Sequence, residues 1–516
     1  MSPQPSASTA DRETWPSVID VTVVDGDTFQ SVDPATGEQV GSFPVHSEAD
    51  VRAAVARARP AAEWWAGLGF AGRAERLGTW RAHLAGRSAE LAGLIHREGG
   101  KPVDDAMIEL ATAIGHLHWA PRNAKRVLGP RRVRPGLLVA NLAATLEYQP
   151  YGVVGVIGPW NYPVFTPLGS IVYALAAGNA VVFKPSEYTP AVGRWLVDSF
   201  AAVVPEHPVF QLITGAGPTG AALCRSGVDK LAFTGSTATA KKIMAGCAET
   251  LTPVLLECGG KDAMIVAADA DVRAAADAAA WGGMANAGQT CIGIERVYAV
   301  DEVYDEFVTA LAERARGLRP GFEYGPATMP AQLDVIRRHV TDALARGGRA
   351  VVGGAESVRP PYAHPTVLVD VPEDAAAVRE ETFGPTLTVT RVADVDEAVE
   401  KANASAYGLG AAVFAGNGGE QIARRIRSGM TSVNSVLSYA GVGALPFGGV
   451  GDSGFGRIHG DDGLREFARA KAISRPRFPA PLDVTRFDRK PWSMQALRLV
   501  LKVVYGRPPV RRRGQP

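Results

Sequence analysis

The amino-acid sequence predicts an α/β fold in which parallel strands are covered by helices, and three observations carry that prediction. Residues 152–158 (GVVGVIG) and 180–183 (AVVF) are continuous apolar runs bounded by Gly or Pro, the pattern of strands buried on both faces. Between them, residues 168–177 read as an apolar helix that stops at Gly178-Asn179. Strand, helix, strand requires a crossover, which makes the two strands parallel. The alternation then continues through strands expected at 209–213, 230–233, 253–256 and 263–266.

In chain order, residues 1–15 are polar and rich in Ser, Pro and Ala, the composition of a mobile tail. Residues 49–68, 73–96 and 103–126 carry apolar side chains at helical spacing, with Gly99-Gly100 as a stop between the last two. At 131–151, Pro135-Gly136 separates two extended stretches, which predicts a hairpin. Residues 484–516 hold nine Lys or Arg against Asp488 alone, and 492–505 (WSMQALRLVLKVVY) form a basic amphipathic segment. Such a helix can lie on a membrane surface. The preferred reading is an arm packed on a neighbouring subunit, or a solvated tail.

The 516 residues suffice for two to four domains at roughly 100 to 200 residues each. A formal net charge of +1 and a main body without a basic stripe argue against a nucleic-acid partner. The four cysteines form no C-x-x-C pair and no zinc-spaced cluster, so neither a metal site nor a disulfide framework is expected, and a reducing compartment fits. The N-terminus lacks a basic start followed by an apolar run, and the longest apolar stretch, 168–183, is shorter than the roughly 20 residues that span a bilayer. The expectation is a soluble cytoplasmic enzyme.

Chemistry concentrates in four clusters: PWNYP at 159–163, FKPSE at 183–187, LECGGK at 256–261 and NAGQTCIGIERV at 286–297. Cys291 sits in a Gly-Gln-Thr-Cys turn after an apparent helix, and a thiolate is the best side-chain nucleophile for an electrophilic carbon near neutral pH. Glu257 ends an apolar run ahead of Gly259-Gly260; a partly desolvated carboxylate there has a raised pKa suited to a general base. Asn161 offers an amide N–H2 on a loop after a buried strand, a donor for a developing oxyanion. Cys224, Cys247 and Cys258 read as small buried hydrophobes. Gly215, Gly217 and Gly220 spell GxGxxG after an expected strand, by itself a weak dinucleotide signal. Gly235-Ser236, where a strand opens into a helix, offers free N–H groups to an anion.

With EETFGP at 380–385 and PFGGVGDSGFGR at 446–457, these clusters stand in an order that resembles the aldehyde dehydrogenase superfamily, in its hydrolytic NAD(P)-dependent branch, from about residue 30 to residue 480. The resemblance implies a Rossmann-type parallel-sheet domain for NAD at 16–130 and 152–258, and an α/β catalytic domain at 259–460. It also implies a small β oligomerisation element at 131–151 and 461–483, followed by the basic extension 484–516. It implies oxidation of an aldehyde to the acid through a thiohemiacetal and then a thioester on Cys291. Asn161 and the Cys291 backbone N–H would hold the oxyanion, and Glu257 would activate the hydrolytic water. For the cofactor, NAD with NADP left open, it implies Gly235 and Ser236 at the pyrophosphate and Lys184 and Glu187 at the adenosine ribose. Glu381 would meet the nicotinamide ribose, and Phe383 and Trp160 would stand at the nicotinamide. The GxGxxG turn is displaced from the pyrophosphate in that scheme. The chain departs from the family pattern at Cys258, Ala238, Ala240 and Thr382.

Trp160, Tyr162 and Phe447 are candidates for an aromatic aldehyde tunnel, with Arg457 nearby in sequence. Partners are thus a small aldehyde and further copies of the chain, as a dimer or tetramer. A CoA-acylating enzyme and a catalytically dead scaffold are the competing readings, and retention of Glu257, Cys291 and Asn161 together counts against both.

Overall fold

A computed structural model describes residues 23–24, 27–480, 482 and 484–506; the expected tail at 1–15 and Arg507 to Arg513 lie outside the described residues. The chain divides into two compact units, 1–127 with 150–469, and 128–149 with 470–516.

In the larger unit the first predicted helix runs Glu48–Gly67. Ser47 and Asp50 form a reciprocal capping box at its start, which satisfies N–H groups that lack helical partners. The stretch expected as one helix at 73–96 is two, Gly69–Gly86 and Ser88–Gly99. Arg87 leaves helical geometry at φ −114°, ψ 19°, directly after a glycine that weakens the helix. Val103–Leu128 follows as a long helix.

The first sheet is built from β1 (Val153–Ile157), β2 (Ala180–Lys184), β3 (Phe210–Leu212), β4 (Lys230–Thr234) and β5 (Val254–Glu257). Their spatial order is β5-β4-β1-β2-β3, all parallel, and the short strand Gly454–Phe455 adds antiparallel to β5 at the edge. Every residue of β1 and β2 is buried, as the uninterrupted apolar runs require. The expected helix between them runs Phe165–Ala177 and ends on Gly178 at φ 107°, a conformation that favours glycine. Asn179 then ties the corner: its amide donates to the Ala174 and Phe467 carbonyls and its oxygen accepts from Gly152 N–H.

The alternation does not continue in one sheet. β6 (Asp262–Val266) follows β5 after only four residues, yet it lies in a second sheet with β7 (Ile294–Val300), β8 (Arg349–Val352), β9 (Thr366–Val369), β10 (Thr386–Val392), β11 (Ala411–Phe414) and β12 (Ser432–Val433). Its order is β8-β9-β10-β7-β6-β11-β12, parallel except at β8. Residues 258–261 are therefore a crossing between two sheets, and the C-terminal end of β5 faces the start of β6 and β7.

The crossing is held by a buried ion pair. Lys261, before β6, donates to Glu295 on β7, with side chains 0% and 5% exposed. Glu295 also accepts from the backbone N–H groups of Thr382 and Phe383, each at 2.8 Å, and so fixes the loop before β10.

The smaller unit holds all but the end residues Pro150, Ala468 and Arg469 of a three-stranded sheet of Arg131–Val133, Leu142–Pro150 and Ala468–Pro476. The first two strands form the predicted antiparallel hairpin. Residues 461–469, assigned from sequence to this element, fall in the larger unit, where Glu466 accepts from Lys230 at 2.6 Å. In the extension, Pro491–Val500 is helical and continues as a wider turn over Leu501–Tyr505. No helix among the described residues is long and apolar enough to cross a membrane.

Replacing Lys261 by Met should lower stability by about 3–5 kcal/mol, because Glu295 is left buried without its counter-charge. The urea unfolding midpoint reads this out, with Lys241→Met, at an exposed ion pair, as a control that barely moves.

Candidate active site

The helix Val272–Met284 ends in a sharp turn whose residues Asn286, Ala287 and Gly288 all have positive φ. At Gly288 (φ 70°) a Cβ would stand 2.1 Å from the Gly384 carbonyl oxygen, so only glycine fits. The next residue, Gln289, is buried and pins the turn. Its amide donates to the Asn286 and Pro326 carbonyls, and its oxygen accepts from Thr328 N–H at 2.9 Å. Cys291 follows. On its far side Gly260 lies so close that a Cβ there would be 2.4 Å from the Cys291 carbonyl oxygen. The position of the Cys291 backbone is thus set by close approach on both sides.

Cys291 stands where two cavities meet. One, of about 300 Å³, contains Glu257, Tyr162, Trp281 and Phe447 in its wall; the other, of about 360 Å³, contains Asn161, Trp160, Gly235, Glu381 and Phe383. Only Thr234, Cys258 and Cys291 line both. Burial pushes the Cys291 thiol well above its ordinary range, and the carboxyls of Glu381, Asp262 and Glu257 push it further, while the Ile292 N–H opposes them. The shift favours the neutral thiol, and a neutral thiol is a poor nucleophile until a base takes its proton.

Glu257 closes β5 at 3% exposure. Neither of its carboxyl oxygens has a hydrogen-bond partner among the described residues. Burial raises its pKa well above the usual carboxyl range, Glu466 adds to this, and Arg457 works against it. Gly448 (φ 150°) makes room, since a Cβ there would be 2.8 Å from Oε1. Arg457 does not line the first cavity; its guanidinium donates to the Gly449 and Gly456 carbonyls at 2.9 and 2.6 Å.

The 159–163 loop is tied to the cysteine turn. Asn161 Nδ2 donates to the Gln289 carbonyl at 2.9 Å, its own carbonyl accepts from Asn286 Nδ2, and Tyr162 shares a hydrogen bond with Thr290 Oγ1 at 2.9 Å. One amide N–H of Asn161 is thereby used and the second remains.

The second cavity gathers most of the expected cofactor residues. Trp160 and Phe383 meet edge to face, 5.5 Å between ring centroids and 87° between planes. Phe383 has φ 51°, an unusual conformation held by its bond to Glu295. Glu381 lies flat against Gly259, where a Cβ would be 2.3 Å from Oε2, and accepts from Gly260 N–H at 2.9 Å; burial raises its carboxyl to about 8. Ser236 caps the helix Thr237–Ala248 by accepting from Thr239 N–H, and Gly235 precedes it. Ala238 is exposed and Ala240 is buried in that helix. Thr382, one of the departures from the family pattern, uses its hydroxyl: Lys261 Nζ donates to it at 2.9 Å and His339 Nδ1 lies at 3.1 Å. Cys258, another departure, is buried and stands in both cavity walls.

Of the three aromatic candidates, Tyr162 and Phe447 line the first cavity, whereas Trp160 stands in the wall of the second and not in that of the first. Lys184 and Glu187 are not gathered with the others. Lys184 is 3% exposed, donates to the Pro185 carbonyl and pairs with Glu187 at 3.6 Å, and Glu187 borders a separate small cavity. The GxGxxG turn packs against its own helix: a Cβ on Gly215 would be 2.2 Å from Thr219 Oγ1, and Thr214 and Thr219 bond the backbone of Pro44 and His46.

Sequence reasoning missed a second buried ion pair, Lys101–Glu109, with side chains 2% and 0% exposed. Lys101 Nζ lies 3.7 Å from the Tyr162 ring centroid, and Glu109 accepts from the N–H groups of Val164 and Phe165 at the start of a helix. The spacing of these two residues along 101–109 carries no signal that they would meet a loop some fifty positions later. Trp281, on the helix before the turn, was also missed.

Comparison with known proteins agrees with this geometry. Residues 22–473 match the model of the aldehyde dehydrogenase family. The chain is 34% identical over 496 residues to 4,4'-diapolycopene aldehyde oxidase of a Methylomonas species, covering 95% of this chain and 93% of that protein. It is 36% identical over 485 residues to a protein of Mycobacterium ulcerans provisionally named succinate-semialdehyde dehydrogenase [NADP(+)] 2, covering 92% and 93%. Among solved structures it is similar to an NAD-dependent aldehyde dehydrogenase from Sinorhizobium meliloti, with TM-score 0.84 and 33% identity over 90% of this chain and 94% of that one.

Gly260→Ala should cut aldehyde turnover about 100-fold or more while leaving the far-ultraviolet circular dichroism unchanged, because the added methyl displaces the Cys291 backbone. Turnover within twofold of the parent would show that the close approach does not position the thiol.

Proposed function

Because this chain belongs to the aldehyde dehydrogenase family, whose members are oxidoreductases acting on aldehydes, we propose that it converts an aldehyde to the carboxylic acid with Cys291 as nucleophile, Glu257 as base and NAD as hydride acceptor. The observation that carries this reading is the pairing of a buried, unpartnered carboxyl and a neutral thiol in the wall of one cavity.

Glu257, directly or through a water, takes the thiol proton. The Cys291 sulfur then forms a bond to the aldehyde carbon, and the carbonyl oxygen becomes an oxyanion. The remaining N–H of Asn161 and the Cys291 backbone N–H are the donors for that oxygen. When bound, the nicotinamide supplies the two-electron acceptor for the hydride that the thiohemiacetal carbon releases. A thioester remains on Cys291. Glu257 passes the thiol proton to solvent and then deprotonates a water; the water oxygen adds to the thioester carbon, and the C–S bond breaks, the sulfur taking the proton back from Glu257 to give the acid and the thiol.

The second cavity suits the cofactor. Its Trp160–Phe383 pair offers an apolar wall for a nicotinamide, Glu381 offers a carboxylate for a ribose hydroxyl, and the helix start at Ser236 offers N–H groups for a pyrophosphate. We assign Glu187, beside Lys184, to the adenosine ribose; a carboxylate there accepts from a 2′-hydroxyl and repels a 2′-phosphate, which favours NAD over NADP. The small sheet supports self-association, since nearly all of Ala468–Pro476 is exposed in the single chain. Sedimentation of the full chain should give a dimer or tetramer, and a monomer at micromolar concentration would remove that assignment.

Cys291→Ala should abolish aldehyde-dependent NADH formation. Glu257→Gln should lower steady turnover by about 10²- to 10⁴-fold. Burial raises the Glu257 pKa, which favours its neutral form, and a neutral carboxyl accepts no proton. Turnover of the parent enzyme should therefore climb as pH rises through that raised value, and Glu257→Gln should lose this limb. A parent profile flat from pH 6 to 9.5 would count against Glu257 as the base.

A further inference from the structure

We propose that the first cavity is a site for long, uncharged hydrocarbon aldehydes and discriminates against aldehydes that carry a second carboxylate. The inference rests on the reading of Cys291 and Glu257 given above and concerns what lies on the other side of the carbonyl.

The wall leading away from Cys291 is built from Phe165, Trp281, Val436, Leu437 and Phe447, with Ile108 at the rim. The apolar surface does not stop there. Ile108 and Trp281 line the cavity yet are 55% and 49% exposed. On the helix that carries Ile108, Val103 and Met107 are exposed too. The loop 436–441 in the wall runs on into exposed Val442 and Leu445. Exposed apolar side chains grouped at a cavity mouth mark a binding surface for an apolar partner.

Charge in the same wall points the same way. Lys101 is the single cation among the residues that line the cavity. Its ammonium is already used, bonded to Glu109 and seated on the Tyr162 ring, at 2% exposure. Asp105 stands beside it and adds negative charge. A carboxylate at the far end of a semialdehyde would meet no free cation and three acidic side chains, Asp105, Glu109 and Glu257.

Each methylene buried on this wall is worth roughly fourfold in binding at about 0.8 kcal/mol. With the purified full chain and NAD, kcat/KM should rise from propanal through hexanal to decanal by roughly that factor per methylene until the chain passes the rim. Decanal should exceed succinic semialdehyde by at least about 100-fold, the value of three to four buried methylenes. Ile108→Arg, at an exposed rim position, should raise kcat/KM for succinic semialdehyde about tenfold and lower it for decanal; Trp281→Ala should reduce decanal more than propanal. Preference for succinic semialdehyde or a trimethylammonium aldehyde, or no dependence on chain length, would overturn the inference while leaving the catalytic reading intact. Inertness toward every aldehyde would instead overturn the catalytic reading, and this inference with it.

Discussion

At the crossing between the two sheets the backbone passes so close to its neighbours that two residues have no room for a single added carbon. A Cβ on Gly259 would strike the carboxyl of Glu381, and one on Gly260 would strike the carbonyl of Cys291. Everything in the site is referred to this point. Glu257, at the end of β5, lies two residues before Gly259, and Lys261 directly follows Gly260. The cysteine turn and the loop before β10 are packed against it from two directions. Interiors pack at the density of organic crystals, so a displaced methyl-sized volume is transmitted and not absorbed. The crossing thereby converts a separation along the chain into a fixed placement of thiol, carboxyl and loop.

The electrostatic character of the site follows from the same crowding. Burial raises the carboxyls of Asp262 and Glu381 to about 8 and holds that of Glu257 well above its ordinary range, while the thiol of Cys291 is raised by burial and then by these same neighbours. Charges that cannot reach water are suppressed unless paired. Glu295 is met instead by Lys261 and two backbone N–H groups, and so anchors the loop before β10. The site thus separates a structural carboxylate, paired and immobile, from Glu257, which is unpaired and able to exchange a proton.

Much of this was legible in the sequence. The fully apolar runs at β1 and β2 announced doubly buried parallel strands, and the glycines after the helix at 165–177 and around 259–260 marked tight backbone. Cys291, Glu257 and Asn161 could be singled out because their residue types carry chemistry within recognisable local patterns. Legibility failed where partners are distant. Nothing local in the run from β5 to β6 shows that the chain changes sheets, because both strands have the same buried pattern. Nor does the spacing of Lys101 and Glu109 reveal that they close over Tyr162, and Trp160 beside Tyr162 gives no sign that the two aromatics serve different cavities.

What the sequence by itself determined is the periodicity of its elements, the position of its turns and the chemical identity of the groups that can react, all properties of side chains and near neighbours. The tertiary structure alone decided which of those groups share a cavity and which charges are neutralised by burial. It also decided that Lys184 and Glu187 stand apart from the second cavity. Burial and proximity arise from contacts between segments hundreds of residues apart, and such contacts leave no periodic trace in the chain that makes them.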